Sequence, residues 1–336
     1  MADARTHLAV VIAAPDTPAA LALAERHVGV ATLVEYRLDL MADFDLVRLV
    51  EHSPLPAIIT CRPPEEGGGF CGPERERRSL LREAIALDAA WVDVEAGALP
   101  ELAALPRRRT RLIGSRHDFV GMLGDWASDG LRLRASGADV VKLVGSAHHT
   151  DDVLPAIAWL AGLDARLPGI GIVMGECGIA SRLLAPRLPA AFLSFAAADG
   201  GGTAAGQLGA KTLWEEYGFG RVGMADPCLV LLCPTDVSWP QVAIYRQTLS
   251  AADTGGRAWL LPLPIERFGP GLLLACQLAG IKGIIALPQT LRDPTLADVG
   301  ANPHAAAWRR AGGRWQALAA SEPDPTDTIT FVLTSS

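Results

Sequence analysis

The chain has 336 residues, of which half are hydrophobic and a fifth are charged, as is ordinary for a globular protein. Its net charge is −7 and its basic residues form no long run, which argues against nucleic acid or an anionic membrane as a partner. A chain of this length can hold one large α/β barrel and a smaller unit.

The six cysteines form no C-x-x-C pair and no zinc pattern with histidine. We therefore expect free, buried thiols in a reducing cytoplasm and no metal site. The apolar segment 8–14 could be the core of a signal peptide, but it is short and follows Asp3. We interpret it as a first β-strand, and no other run approaches the length of a membrane span.

Apolar runs with the length and composition of β-strands recur along the chain, and helix-like stretches separate most of them. The eight runs are 8–13, 32–38, 57–61, 91–94, 111–115, 139–144, 170–174 and 191–196. The helix-like stretches are 18–27, 73–89, 123–136, 152–163, 179–188 and 206–217. This alternation predicts a (β/α)8 TIM barrel over residues 1–220. An open doubly wound sheet is the rival, but no G-x-G-x-x-G follows the first strand.

Chemistry in such barrels collects at the carboxyl ends of the strands, where this sequence places polar side chains in succession. Strand two ends in EYRLD, and a period of two puts Glu35 and Arg37 on one face. Strand three runs into TCRPPEEGGG, which carries Arg62 and Glu66, and strand five runs into SRHDF, which carries His117. Taken alone, Glu35 and Arg37 fit a structural salt-bridge network as well as a binding site. Arg62 and Glu66 fit a solvated turn equally well, and a lone histidine such as His117 is more often structural than catalytic.

The next three strands continue the series. Lys142 lies inside the apolar run VVKLV, where a charge is costly to bury unless it is paired or neutralised. Strand seven runs into MGECGIASR, which places Arg182 in the first turns of a helix, and strand eight runs into DGGGTAAGQ, which carries Thr203 and Gln207. Such a succession of lysine, histidine, glutamate and arginine at the strand ends of one barrel favours a shared binding site.

In this order and spacing, the motifs resemble those of type I 3-dehydroquinate dehydratase over about residues 8–217. They are EYRLD, TCRPPEEGG, SRHDF, DVVKLV, MGECGIASR and TAAGQ. That family is a (β/α)8 barrel, usually dimeric, which uses no metal or organic cofactor. It converts 3-dehydroquinate to 3-dehydroshikimate by losing water, so the resemblance implies a homodimeric hydro-lyase of the shikimate pathway whose partner is this small substrate.

The resemblance also implies roles for individual residues. Lys142 would form a Schiff base, His117 would act as general acid and base, Glu66 would orient His117, and Arg182 would hold the substrate carboxylate. The residues that would contact hydroxyl groups or close the lid are Glu35, Arg37, Arg62, Thr203 and Gln207. The family usually has serine at the position of Thr203 and proline at that of Ala205, which bears on closure of the lid.

These roles fit the chemistry of dehydration. An iminium on Lys142 would make the ketone an electron sink, so that a proton can leave the neighbouring carbon. Burial in an apolar barrel and nearby positive charge would both favour the uncharged amine. Two other classes stay open: another Schiff-base barrel such as a class I aldolase, and a non-catalytic sensor of quinate-type ligands. An aldolase-like enzyme would share Lys142 but would not need Arg182, His117 and Glu66 together. A sensor could bind its ligand without Lys142 or His117.

The pattern of residues 229–336 predicts a smaller α/β domain. Its strands are expected in CLVLLCP, RAWLLPLP, IKGIIALP and TITFVLTS, and its helices at 240–250 and 269–279. This segment resembles the substrate-binding half of shikimate dehydrogenase, to which the dehydratase is fused in some organisms. Gln289 and Thr290 stand where that family has histidine and the catalytic lysine, and no G-x-G-x-x-G follows these strands. We expect a domain without dehydrogenase activity that serves packing or dimer contacts.

Overall fold

The computed structural model describes residues 6–198, 206–219, 226–253, 255–287, 290–292, 307–311, 314–318 and 324–333. Asp3, Thr203, Ala205 and Gln289 lie outside the described residues.

The first part of the described chain is a parallel β-barrel. Its strands are β1 (His7–Ile12), β2 (Leu33–Arg37), β3 (Ala57–Thr60), β4 (Trp91–Glu95), β5 (Arg111–His117), β6 (Val140–Ser146), β7 (Gly169–Met174) and β8 (Leu193–Ala197). They pair in chain order from β1 to β7, and β8 pairs with β1. The amide of Phe192 donates to the carbonyl of Gly169 at 2.8 Å, which brings β8 to β7 and nearly closes the barrel. The predicted (β/α)8 fold is confirmed.

Helices follow the strands around the outside. They are α1 (Thr17–Glu25), α2 (Leu46–Glu51), α3 (Glu74–Ala86), α4 (Leu99–Ala103), α5 (Trp126–Ala135), α6 (Val153–Gly162), α7 (Ile179–Leu184) and α8 (Ala210–Glu215). The sequence pattern did not predict α2 and α4, which have six and five residues. At the start of α2, Asp45 accepts a hydrogen bond from the amide of Arg48 at 3.0 Å.

Alternation along the strands separates an inner from an outer apolar layer. In β6, Val141 and Leu143 pack among the buried residues under the helices, whereas Val140 and Val144 belong to the barrel interior. Lys142 shares the inward parity of Val140 and Val144, so its side chain enters the barrel. The same rule turns Glu35 inward, as the sequence predicted.

The C-terminal part forms a second, smaller α/β unit. Its strands are β9 (Cys228–Cys233), β10 (Trp259–Pro264), β11 (Arg267–Phe268), β12 (Gly283–Ala286), β13 (Leu291–Arg292), β14 (Ala307–Ala311) and β15 (Arg314–Leu318), and its helices are α9 (Trp239–Ala252), α10 (Pro270–Leu278) and α11 (Pro325–Leu333). One sheet has the order β10-β9-β12-β14-β15, in which the first three strands are parallel and the last two antiparallel.

The prediction of a strand in TITFVLTS is wrong, because its described part lies in α11. β-Branched residues favoured a strand, but Ile329 and Val332 are three residues apart and both buried, so they form one face of a helix. Val332 packs so closely on β12 that a β-carbon at Gly283 would lie 2.7 Å from its Cβ. Tertiary packing therefore overrides the local propensity.

The C-terminal unit docks on the barrel beside α6. Thr150 donates a hydrogen bond to the carbonyl of Arg267 at 2.7 Å, and Asp151 accepts one from the amide of Leu272, in the first turn of α10, at 2.9 Å. Arg187 donates to the carbonyl of Asp226 at 2.9 Å. Within the described ranges, no helix is long and apolar enough to cross a membrane.

The cysteines carry free thiols, as expected, but not all are buried. Cys71 is exposed and Cys177 is partly exposed, whereas the buried thiols are Cys61, Cys228, Cys233 and Cys276.

Candidate active site

A cavity opens at the carboxyl ends of the barrel strands. The predicted site residues that line it are Glu35, Arg37, Arg62, Glu66, His117, Lys142, Arg182 and Gln207. Apolar contacts come from residues that include Phe119, Ile172 and Phe195. The structure thus brings together every predicted site residue that it describes, and Thr203 lies outside the described residues.

Lys142 lies at the floor of the cavity, 5% exposed. Its Nζ is 2.8 Å from Oδ2 of Asp93, 3.8 Å from Oε1 of Glu35 and 4.3 Å from the centre of the Phe195 ring. The lysine is thus buried in an apolar barrel interior, as expected, but the carboxylates of Asp93 and Glu35 also lie beside its Nζ.

The main residue missed by the sequence analysis is Asp93. It is fully buried in β4, within WVDVE, a segment with the same period-two pattern of charges as EYRLD. Val92 and Val94 pack under the helices, which turns Asp93 and Glu95 into the barrel. Extending the period-two argument from β2 to β4 would have found both acids.

Arg62 forms ion pairs with both of these acids. Its Nη2 is 2.8 Å from Oδ2 of Asp93, and its Nη1 donates to Oε1 of Glu95 at 2.7 Å and to the hydroxyl of Ser115 at 2.8 Å. Burial opposes the charge on Arg62, but Asp93 and Glu95 outweigh it, so the pKa of Arg62 is raised. Burial likewise opposes the charge on Asp93, but Arg62 and Lys142 outweigh it and hold the pKa of Asp93 well below its usual range.

His117 and Glu66 form a hydrogen-bonded pair at the mouth of the site, with Nδ1 2.8 Å from Oε2. Burial, and then the positive charges of Arg62 and Lys142, lower the pKa of His117 well below its ordinary value. Burial raises the pKa of Glu66 to about 7. Phe119 stacks on His117 with ring centres 6.0 Å apart. Both groups therefore have pKa values displaced from their ordinary range, which is common for groups in active sites.

The backbone after β3 holds Glu66 in place. Gly68 packs on Arg62 so closely that a β-carbon there would lie 1.9 Å from the Arg62 carbonyl oxygen, so only glycine fits. The amide of Gly69 donates to Oδ2 of Asp39 at 3.0 Å, and Asp39 in turn accepts two hydrogen bonds from Arg37. Arg37 thus anchors the glycine-rich segment as well as lining the cavity.

Arg182 is the group best suited to bind an anion. Its side chain comes from α7 and the residue is 3% exposed, yet no carboxylate among the described residues forms an ion pair with it. The hydrogen bond that Arg182 donates is a long one, at 3.4 Å, to the carbonyl of Phe195. Burial lowers the pKa of Arg182 to about 10, so it stays charged at neutral pH. A buried, unmatched guanidinium is a receptor for a carboxylate.

Fold and site together define a (β/α)8-barrel protein with a buried lysine, a histidine–glutamate pair and a buried arginine at the strand ends. Residues 8–222 match the type I 3-dehydroquinase family, and the chain belongs to that family.

Curated relatives include both single and fused proteins. The chain is 37% identical over 204 residues to the chloroplastic bifunctional 3-dehydroquinate dehydratase/shikimate dehydrogenase of Arabidopsis thaliana, covering 57% of this chain but only 33% of that protein. It is 34% identical over 210 residues to the 3-dehydroquinate dehydratase of Desulfotalea psychrophila, covering 60% of this chain and 92% of that one.

Solved structures share the fold. The type I 3-dehydroquinate dehydratase of Clostridium difficile, crystallised with covalently modified comenic acid, superposes with a TM-score of 0.55 at 22% identity, covering 63% of this chain and 90% of that one. The dehydroquinate dehydratase and shikimate dehydrogenase part of S. pombe AroM gives a TM-score of 0.55 at 22% identity, covering 92% of this chain and 62% of that one. The second likeness extends through the C-terminal unit.

Proposed function

We propose that the protein converts 3-dehydroquinate to 3-dehydroshikimate through a Schiff base on Lys142. The observation that carries this proposal is the convergence of Lys142, His117 and Arg182 on one cavity, in a member of the type I 3-dehydroquinase family. A lysine can form an imine with a ketone, a histidine can move a proton, and an arginine can bind a carboxylate. The substrate carries all three reacting or binding groups on one ring.

Arg182 binds the substrate carboxylate, since its charge has no other carboxylate partner among the described residues. This contact points the ring so that its ketone reaches Nζ of Lys142. The residues proposed to bind the hydroxyl groups or to close the lid are Glu35, Arg37, Arg62, Thr203 and Gln207.

The reaction begins when the amine of Lys142 adds to the ketone carbon and the adduct loses water to give an iminium. His117 takes a proton from the neighbouring carbon, and the electrons of the C–H bond pass to the iminium nitrogen as an enamine. The enamine returns these electrons to expel the hydroxyl group, which leaves as water with the proton held on His117. A further water hydrolyses the iminium and releases Lys142, so the net change is the loss of one water.

Turnover is measured directly in the ultraviolet, because 3-dehydroshikimate is a conjugated enone and the substrate is not. Enzyme-dependent absorbance on adding 3-dehydroquinate supports the proposal. Binding of 3-dehydroquinate with no change in absorbance would contradict it and leave the sensor interpretation. Turnover of an aldol substrate instead would favour another Schiff-base barrel enzyme.

From the hydrogen-bonded pair of His117 and Glu66, we expect kcat/KM to fall at acid pH. Ionised Glu66 accepts from Nδ1–H of His117 and leaves Nε2 free as the base, whereas protonated Glu66 donates to Nδ1 and forces the proton onto Nε2. Because Glu66 has a raised pKa of about 7, kcat/KM should rise with pH through about 7. In Glu66→Gln this fall at acid pH should disappear, and an unchanged fall in that variant would contradict the assignment.

We also propose that residues 1–220 and 229–336 form two domains and that the second lacks dehydrogenase activity. Thr290, at the position of the dehydrogenase lysine, is 1% exposed and donates a hydrogen bond to the carbonyl of Leu232 at 3.3 Å. One G-x-G-x-x-G match occurs at 218–223, but it falls between α8 and β9. A dinucleotide site needs the reverse order of strand, turn and helix. The hydrogen bonds beside α6 support a role in covering the barrel.

Addition of NADPH and 3-dehydroshikimate to the full chain should therefore give no enzyme-dependent loss of nicotinamide absorbance. A hydride transfer needs a pyrophosphate cradle and a proton donor, and an unactivated threonine hydroxyl supplies no proton at neutral pH. The same preparation should turn over 3-dehydroquinate, which is the positive control. Oxidation of NADPH that depends on both enzyme and substrate would restore the bifunctional interpretation.

The homodimer that the family resemblance implies, and a cytoplasmic location, are part of this proposal. The six free thiols are compatible with a reducing compartment.

A further inference from the structure

Buried charges of alternating sign run from the outer helix α3 to the lysine of the site. Arg77, in α3, is 2% exposed although arginine is normally a surface residue. Its Nη1 donates to Oε2 of Glu95 at 2.6 Å and to the carbonyl of Cys61 at 2.9 Å, while its Nε donates to Glu74 at 2.7 Å. Arg77 therefore reaches the acid of β4 that also binds Arg62.

Each carboxylate oxygen of Glu95 accepts a hydrogen bond from a different arginine. Oε2 accepts from Arg77, and Oε1 accepts from Nη1 of Arg62. The second arm of Arg62 contacts Oδ2 of Asp93 at 2.8 Å, and Nζ of Lys142 contacts the same oxygen at 2.8 Å. The negative charge of Asp93 is thus shared between an arginine and the lysine.

We propose that Arg77 is a positioning residue for Lys142, acting through Glu95, Arg62 and Asp93. By occupying one oxygen of Glu95, Arg77 keeps Arg62 divided between Glu95 and Asp93, which prevents Asp93 from pairing with Lys142 alone. This inference rests on the proposed Schiff-base function, because it concerns how readily Lys142 becomes a free amine.

Loss of Arg77 leaves a buried carboxylate oxygen without a donor, a costly state. Glu95 then takes both arms of Arg62 in the bidentate geometry that arginine favours. Asp93 keeps Lys142 as its remaining cationic partner and stabilises the ammonium. Imine formation slows and needs a higher pH. Among the described residues, the other charged or titratable groups that line the cavity with the lysine are Glu35 and Arg37 from β2, Glu66 after β3, His117 from β5 and Arg182 from α7.

The test compares Arg77→Met with Arg78→Met in the full-length protein. Arg78 lies on the same helix and also binds Glu74, but its other partner is Glu101 and it makes no contact with Glu95. Single-turnover imine formation with 3-dehydroquinate is trapped with borohydride and followed against pH. Arg77→Met should slow imine formation about tenfold at neutral pH. The midpoint of the pH dependence of this rate should rise by about one pH unit. Arg78→Met should match the wild type.

Arg77→Lys serves as the rescue, because one ammonium donor to Glu95 should recover part of the rate, and it decides the question if Arg77→Met does not fold. A lower melting temperature for the Arg77 variants with the wild-type pH profile would overturn the inference, as would equal changes in the Arg77 and Arg78 variants. Absence of any adduct in the wild type would instead contradict the proposed function itself, and with it this inference.

Discussion

Replacing Lys142 with methionine is expected to reduce turnover of 3-dehydroquinate by on the order of 10⁴-fold or more, because the covalent route is lost entirely. Methionine keeps the length and much of the volume of the side chain, so the barrel should still close around it. Arg62 remains to pair with Asp93, which limits the cost of leaving that acid without the lysine. The ultraviolet assay measures the loss.

Lys211→Met is the matched control. Lys211 lies on α8, is 71% exposed and pairs with Glu215 on the surface. It should keep full turnover, since an exposed pair of this kind contributes little. Turnover by Lys142→Met within a few-fold of the control would show that the reaction does not pass through this lysine.

Replacing Arg182 with leucine should lower kcat/KM by about 10²- to 10³-fold, because a buried, charge-assisted contact to a carboxylate is worth about 2–5 kcal/mol. The loss should be smaller for a substrate analogue that lacks the carboxylate. Equal losses for both compounds would contradict the role of Arg182 as the carboxylate receptor.

The same substitution should stabilise the ligand-free protein. Burial lowers the pKa of Arg182 from 12.5 to about 10, so holding its charge costs on the order of 3 kcal/mol. Leucine removes that cost, and the free energy of unfolding should rise by about 1–3 kcal/mol in denaturant titration. Arg166→Leu, at a residue whose side chain is 88% exposed, should change it little. A protein destabilised by Arg182→Leu would show that a partner of Arg182 has been missed.

The sequence was sufficient for the barrel because its strands are short apolar runs separated by helices of ordinary length. The observed strand ends differ from the predicted ones by one or two residues. For example, β5 was predicted to end at residue 115 but continues to His117. Helices α2 and α4 were missed, although α7 and α8, which are as short as α2, were predicted. In the C-terminal unit, α11 was predicted as a strand because its β-branched residues follow strand propensity and only packing on β12 makes it helical.

The site was predictable as a set of residues but not as an electrostatic arrangement. The resemblance supplied Lys142, His117 and Arg182 by their motifs, and period two turned Glu35 inward. The sequence could not tell that Arg182 lacks a carboxylate partner among the described residues or that Asp93 contacts Lys142, since both depend on distances between strands that are far apart in the chain.

Reduction with borohydride would show whether Lys142 forms the imine with the substrate. The wild-type protein is mixed with 3-dehydroquinate and sodium borohydride, digested, and its peptides are weighed by mass spectrometry. The peptide containing Lys142 should gain the mass of the reduced substrate adduct, and activity should be lost in step. A fully active protein whose Lys142 peptide stays unmodified, or a label on another lysine, would contradict it.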